Sequence, residues 1–210
     1  MEEFSNHGYN TLGYDKSKAM ITYYKQRLRK NINSTNKAKF IVGDIKNLIF
    51  NKKYDAAIIC INSLGYLINN DDIISHFRAM SQSLKKEGIY IVEISCKCND
   101  IANEKTIDDI WFVKEENVEL EVNWIIKNYE IEHRIRNIDF RMIIKENGTQ
   151  FIIEESHRLR LWIFEEFKEF IFRGGFDLIN IYNQKYEPIQ QDFTIIGELG
   201  ALYFILKNKK

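Results

Sequence analysis

Gly8-Tyr9-Asn10-Thr11-Leu12-Gly13-Tyr14-Asp15-Lys16-Ser17 is the stretch that decides the fold. With the preceding Glu2-Glu3-Phe4-Ser5-Asn6-His7 it reads as the end of a helix, a glycine turn, and a short strand over Thr11 to Tyr14 that closes on an acid. Ser17 can accept a hydrogen bond from the first turn of a helix. Met20, Ile21, Tyr24 and Leu28 then recur at helical spacing. A strand that ends on a carboxylate and passes at once into a capped helix is a βα unit.

The pattern continues outward from this unit. Asn31 to Lys37 is a polar connection, and Ala38 to Val42 is the next strand, ended by Gly43-Asp44-Ile45. Tyr54 to Cys60 is a near-continuous apolar run, expected to be a strand buried on both faces. The loop Ile61 to Leu67 follows. Asn70 or Asp71 can cap a helix whose Ile73, Ile74, Phe77, Met80 and Leu84 form one apolar stripe, stopped by Glu87-Gly88. Ile89 to Ile94 is another buried strand. This alternation predicts a doubly wound α/β sheet, with Thr11–Tyr14, Ala38–Val42, Tyr54–Cys60 and Ile89–Ile94 parallel.

The period changes after about Asp108. Val118 to Val122 and Ile131 to Arg136 alternate apolar and polar residues, and Asn147-Gly148 between Ile143-Ile144 and Phe151-Ile152 is a hairpin signal. Phe164 to Phe172 then reads as a helix with Phe167, Phe170 and Ile171 inward and Gly174-Gly175 as its stop. Phe176 to Tyr182 and Ala201 to Leu206 are closing strands, joined by a long loop, Tyr186 to Gly200, that reads as a lid or edge feature. The expected organisation is an α/β core of residues 1-107 and 161-210, with an antiparallel insertion over residues 108-160.

The 210 residues suffice for one core and a small insertion. Formal net charge is zero, which argues against broad nucleic-acid binding. No apolar run approaches the ~20 residues that span a bilayer, and no basic segment precedes an apolar one at the start. The three cysteines, Cys60, Cys96 and Cys98, suggest a reducing, cytoplasmic setting without a disulfide framework. Cys96-Lys97-Cys98 has no second pair, so no metal is expected. Trp111, Trp124 and Trp162 are expected in a core or an interface.

Taken together, these blocks resemble a family. Gly8 to Ser17 followed by Met20 is similar to the second conserved block of class I S-adenosylmethionine (SAM)-dependent methyltransferases, and Gly43-Asp44-Ile45 to their third. Tyr54-Asp55-Ala56 leading into Asn62-Ser63-Leu64-Gly65-Tyr66-Leu67 resembles the fourth, and Leu84 to Ile91 the block before the fifth strand. His157 to Trp162, Glu165-Glu166-Phe167 and Gly174-Gly175-Phe176 resemble the end of small-molecule methyltransferases that carry a β insertion. The resemblance implies a Rossmann-like, mostly parallel sheet, SAM as cofactor and a small-molecule acceptor. A non-catalytic methyltransferase-like binding or partner subunit is the alternative, and another kind of nucleotide-binding α/β protein is disfavoured by Gly43-Asp44-Ile45. The β layer could also serve as a homodimer surface.

The candidate residues follow from that order. A carboxylate at Asp15 can accept both ribose hydroxyls, against the duller role of a turn aspartate capping the next helix. The resemblance gives Asp44 the adenine amino group and the Ile45 backbone amide a ring nitrogen, against a plain β-turn role for Asp44. Asn62 and Tyr66 follow the fourth-block strand, outside the carboxyl ends of parallel strands where ligands bind, with Asn62 as the polar contact to the cofactor and Tyr66 flanking the acceptor, against a well-packed loop in which Asn62 holds backbone groups. Arg158 or Arg160 can grip an acidic substrate group, although ion pairs to nearby glutamates are the favoured reading. His157 is a candidate general base or a structural histidine. Methyl transfer needs mainly orientation and desolvation, so no dedicated base is required.

The sequence opens on what is normally the second βα unit of such a domain, without the first strand and its glycine-rich loop. The expectation is therefore a truncated form, a strand supplied by a partner, or direct pairing of the strands that would flank the gap. Cofactor binding that is weak or absent in this chain by itself is therefore expected.

Overall fold

The computed structural model describes residues 2–30, 38–97, 109–189 and 198–210. They divide into two compact units, residues 1–50 and 51–210. The expected connection at Asn31 to Lys37 lies outside the described residues, as do Cys98, Asp108 and the stretch 190–197 of the expected lid.

The first unit contains helix α1 (Glu2–Asn6), strand β1 (Thr11–Asp15), helix α2 (Lys18–Lys30) and strand β2 (Ala38–Val42). Gly8 takes a left-handed turn at φ 89°, a conformation that suits a residue without a Cβ. β1 and β2 pair in parallel from Thr11–Ala38 to Asp15–Val42. α2 starts where Ser17 Oγ accepts the Met20 amide at 3.3 Å. Its stripe is only partly covered: Ile21 is buried, Tyr24 stacks on Phe40 at 5.3 Å, and Met20 is exposed.

The second unit holds two sheets. The five-stranded sheet has the order β10 (Phe176–Tyr182), β11 (Glu198–Asn208), β4 (Leu84–Lys97), β3 (Tyr54–Ile59), and the short β9 (Trp162–Ile163) also pairs with β4. β3 and β9 run parallel to β4, whereas β11 is antiparallel to both β4 and β10. The four-stranded sheet is antiparallel, in the order β5 (Asp109–Glu115), β6 (Val118–Glu130), β7 (Ile135–Glu146), β8 (Thr149–Arg160). Its β7–β8 hairpin turns at Asn147-Gly148, both with positive φ, as the dipeptide requires.

The fold is α/β and Rossmann-like, with four departures from expectation. The four strands expected in one sheet are parallel in pairs but lie in two sheets. β3 is not buried on both faces: it is the edge of its sheet, with Ala56 and Ile58 exposed. Helix α3 (Asn70–Ser83) ends before Glu87-Gly88. Leu84 has already turned to extended backbone, is fully buried and pairs with Tyr54, so Lys85 to Gly88 form the irregular stretch before β4 straightens. Neither Asn70 nor Asp71 caps α3. The cap position is Asn69, which makes no capping bond, and the Asn70 side chain is held by Arg160.

Alternation in β4 buries Tyr90, Val92, Ile94 and Cys96 on one face, where α3 and α4 (Phe164–Arg173) pack. Phe77 of α3 is the centre of that layer, with Phe167, Phe176 and Tyr90 rings 5.7, 6.1 and 6.3 Å away. Gly174 follows α4 because nothing larger fits: a Cβ there would lie 2.1 Å from Phe77 Cβ. Gly174→Ala is therefore expected to destabilise the protein by ~1–3 kcal/mol through overpacking, read as a lower denaturant midpoint at unchanged slope.

Candidate functional site

In the first unit, parallel pairing in register brings Asp15 and Asp44 to the same end of two neighbouring strands. Asp15 ends β1 and Asp44 lies two residues beyond the end of β2. Each spends one oxygen on its own turn. Asp15 Oδ1 accepts the Ser17 amide at 2.8 Å, and Asp44 Oδ1 accepts the Lys46 amide at 2.9 Å. Neither Oδ2 has a hydrogen-bond partner among the described residues. Gly43 N donates to the Asp15 carbonyl at 3.0 Å, tying the two turns together, and Ile45 follows as a half-buried residue. The turn and cap roles are thus real, and each carboxylate keeps an oxygen for a ligand. Tyr14 packs on Phe50, and its phenol is pushed up to about 12 by burial and, secondarily, by the charge of Asp44.

In the second unit, the carboxyl end of β3 is held in an unfavourable backbone shape. Ile61 and Asn62 are consecutive non-glycine residues at φ 58° and 50°. Two bonds from β4 fix them: Glu93 Oε2 accepts the Ile61 amide at 3.1 Å, and Asn62 Oδ1 accepts the Ser95 amide at 3.2 Å. Ser63 Oγ donates to the Cys60 carbonyl at 2.6 Å. Burial, with the Glu93 charge beside it, raises the Cys60 thiol, so it stays protonated. Strain of this kind concentrates at functional sites.

The strained turn leads into the short 3-10 helix Ser63–Tyr66 and presents Tyr66. Its hydroxyl lies 3.1 Å from His157 Nδ1 of β8. The imidazole stacks on Trp124 at 5.0 Å with 23° between planes, and Phe140 meets it edge-on at 5.8 Å. His157 Nε2 lies 3.7 Å from Glu155 Oε2. Burial, then the Glu155 charge, raises the Tyr66 phenol, so it is a neutral donor at physiological pH. Tyr66 is still 41% exposed and so can meet a ligand. The sequence pointed to Tyr66 and His157 separately and placed Trp124 only in a core or interface. The signal for the cluster was in the hairpin: counting back from Asn147-Gly148 pairs Ile138 with His157 and Phe140 with Glu155, one row apart on one sheet face.

Arg158 and Arg160 are committed to glutamates. Arg158 Nη2 donates to both Glu130 oxygens at 2.8 Å. Arg160 is 6% exposed, bonds Asn70 Oδ1 at 2.5 Å and Glu166 Oε2 at 3.3 Å, and stacks over Trp162 at 4.2 Å. Arg134 meets the same Glu166 at 3.0 Å. Among the described residues no three His, Cys, Asp or Glu side chains gather as a metal site, and no helix is long and apolar enough to cross a membrane.

Parallel strand pairs, one with carboxylates at its carboxyl end, and in the second unit a separate antiparallel sheet, make a Rossmann-like α/β fold. Residues 1–88 match the family profile described as "Methyltransferase domain". Over 175 residues the chain is 25% identical to YqeM of Bacillus subtilis (strain 168), a protein with a provisional methyltransferase name. That alignment covers 81% of this chain and 66% of YqeM, so the chain spans just under two thirds of its relative's length. Solved structures give the same fold. An S-adenosylmethionine-dependent methyltransferase from Clostridium acetobutylicum ATCC 824 matches at TM-score 0.73 and 18% identity, over 96% of this chain and 76% of that one. The CcbJ methyltransferase from Streptomyces caelestis matches at 0.71 and 15%, over 99% and 78%. SAM-bound CalS10, an amino pentose methyltransferase from Micromonospora echinaspora, matches at 0.67 and 13%, over 94% and 73%.

Two measurements check this geometry. In an alkaline titration followed by phenolate absorbance, Tyr14 should ionise near pH 12, and Asp44→Asn should lower that midpoint only modestly, because burial is the larger cause. The sign for stability follows: the raised folded pKa stabilises fully below the ordinary value of 10.0, and that contribution is lost as pH rises through about 12. Arg160→Ala should lower stability by about 3–5 kcal/mol, since it leaves Glu166 short of a largely buried partner, with Arg134 offsetting part of the loss.

Proposed function

We propose that the chain carries out SAM-dependent methyl transfer to a small-molecule acceptor. The observation that carries the reading is the pair of carboxylates at the ends of adjacent parallel strands, each with one oxygen that has no hydrogen-bond partner among the described residues. Asp15 would take the ribose hydroxyls, Asp44 the adenine amino group, and the Ile45 amide a ring nitrogen. Asn62, fixed by Ser95, would shape the turn at the carboxyl end of β3 and supply the cofactor contact that the resemblance implies there. When bound, SAM supplies a methyl group already activated on a sulfonium. The neighbours support a small acceptor, since CalS10 and its like are named for sugars and other small molecules. Zero net charge disfavours nucleic acid.

The chain's own contribution on the acceptor side is the Tyr66–His157 pair. With His157 Nδ1 unprotonated, Tyr66 donates to it and turns a lone pair toward the acceptor. A proton released by the acceptor nitrogen or oxygen passes to Tyr66 as the Tyr66 proton passes to His157. Glu155 then stabilises the imidazolium, and Trp124 and Phe140 hold the ring and keep water from its faces. Arg158 and Arg160 orient this wall through Glu130 and Glu166. We propose no direct substrate contact for them, in line with the ion-pair reading rather than the substrate-binding one.

Calorimetric titration of S-adenosylhomocysteine into the full chain tests the cofactor side. Asp15→Ala is expected to weaken binding by about tenfold or more, the effect of one lost charged hydrogen-bonding group. Binding unchanged in both Asp15→Ala and Asp44→Ala would falsify the assignment. Absence of any binding by the unaltered chain would favour the non-catalytic alternative. His157→Ala is expected to lower kcat and steepen its pH dependence with cofactor affinity unchanged.

A further inference from the structure

Ile61 is out of place twice over. A β-branched residue at φ 58° is held in a backbone region that its side chain resists and that glycine enters freely. It is also 85% exposed, more than any other large apolar side chain among the described residues. Tyr186 is the one other large apolar residue at positive φ among them, and its ring is used within the protein, 5.2 Å from that of Tyr203. The fold uses only the Ile61 amide, which donates to Glu93 Oε2 at 3.1 Å, and glycine would keep that bond. Strain that the fold itself does not need points to a contact beyond it.

The surroundings narrow the chemistry of that contact. Ile61 stands just outside the carboxyl end of β3, where ligands of open α/β sheets bind. Glu93 brings a half-buried carboxylate to the same turn. A carboxylate has about four acceptor positions, so the bonds from the Ile61 amide and the Cys60 thiol leave room for another donor. Asn62 gives its side-chain oxygen to the Ser95 amide at 3.2 Å, and its NH2 group has no hydrogen-bond partner among the described residues. An aliphatic group, an acceptor with negative charge and a neutral donor therefore meet on one turn. A phosphate would be repelled by Glu93, and a plain hydrocarbon would desolvate Glu93 and Asn62 without compensation. We propose that this turn binds the amino-acid arm of the cofactor, with Ile61 packed on its methylenes, the Asn62 NH2 donating to its carboxylate and Glu93 accepting from its ammonium. The assignment rests on the methyl-transfer reading and extends it from the nucleoside, which Asp15 and Asp44 address, to the other end of the molecule.

Calorimetric titration of the full chain with S-adenosylhomocysteine, which has the arm, and with methylthioadenosine, which lacks it, tests the contact. Ile61→Gly should weaken S-adenosylhomocysteine about tenfold, the loss of one buried aliphatic side chain, and leave methylthioadenosine within about twofold. Asn62→Asp keeps the oxygen that accepts the Ser95 amide but puts a negative charge where the donor was. It should weaken S-adenosylhomocysteine by about tenfold or more and again spare methylthioadenosine. The denaturant midpoint of Ile61→Gly should hold or rise, because the strain is relieved while the bond to Glu93 stays. A lower midpoint overturns the proposal, since the side chain would then be packed within the protein. Unchanged S-adenosylhomocysteine affinity in Ile61→Gly, or equal losses for the two ligands, overturns it and leaves the methyl-transfer reading standing. Absence of S-adenosylhomocysteine binding by the unaltered chain overturns both.

Discussion

The larger unit depends on one steric constraint, the contact of Phe77 with the backbone at Gly174. α3 and α4 can share one face of β4 only if they approach closely, and the absent Cβ at Gly174 makes the room. Phe77 then reaches Phe167, Phe176 and Tyr90 together, giving several edge-to-face pairs in one layer. His76, beside it, is buried and bonds Tyr90 OH at 2.7 Å, so the polar atoms of that pair are satisfied. A second clamp closes the far edge. Asn208, near the end of β11, points its amide at the carbonyls of Ser81 and Leu84 and accepts from Ser81 Oγ. These ties hold α3 at its middle and at its C-terminal end and fix the direction in which β4 carries Glu93 and Ser95.

Much of this order was legible because local chemistry and tertiary packing agree. Ser17 caps α2, Asn147-Gly148 turns the hairpin, and Gly174-Gly175 ends α4, each for a reason that acts within a few residues. What the sequence misplaced depends on distant partners. The apolar run of β3 is the pattern of a doubly covered strand, yet whether a neighbour lies on each side is not encoded in the run itself. The end of α3 went the same way. Glu87-Gly88 looks like a helix stop, but Leu84 is drawn out of the helix by pairing with Tyr54, thirty residues earlier. Asn70 fails as a cap because a guanidinium ninety residues away holds its side chain.

The candidate site divides along the same line. Asp15 and Asp44 were readable because each closes a strand, and parallel register brings two such ends together. Tyr66 was readable as the residue after a strand end. The link from Tyr66 to His157 was not, because it joins an α/β loop to the antiparallel insertion across 91 positions. Trp124 adds a third strand, and its stacking on His157 needs the β6–β7 register as well as the hairpin. Arg158 and Arg160 carried the opposite lesson. Ion pairs were the favoured reading, but the sequence does not name the mates: Glu130 lies 28 positions from Arg158, Glu166 only 6 from Arg160.

The turn at Ile61-Asn62 links fold to site. Two consecutive left-handed residues cost about 1–3 kcal/mol each, and neither is glycine. The side chains of Glu93 and Asn62 offset that cost by bonding the Ile61 and Ser95 amides across the β3–β4 junction. A glycine pair would relieve the strain but would delete the Asn62 amide that anchors the turn to Ser95. A regular strand end would keep the backbone relaxed but would carry Tyr66 along the strand direction, away from β8. The strained turn instead swings the chain into a short helix whose last residue meets His157. The position of Tyr66 is therefore set by Glu93 and Ser95, themselves held by a strand whose opposite face is the Phe77 layer. Packing on one side of β4 thus fixes the polar geometry on the other.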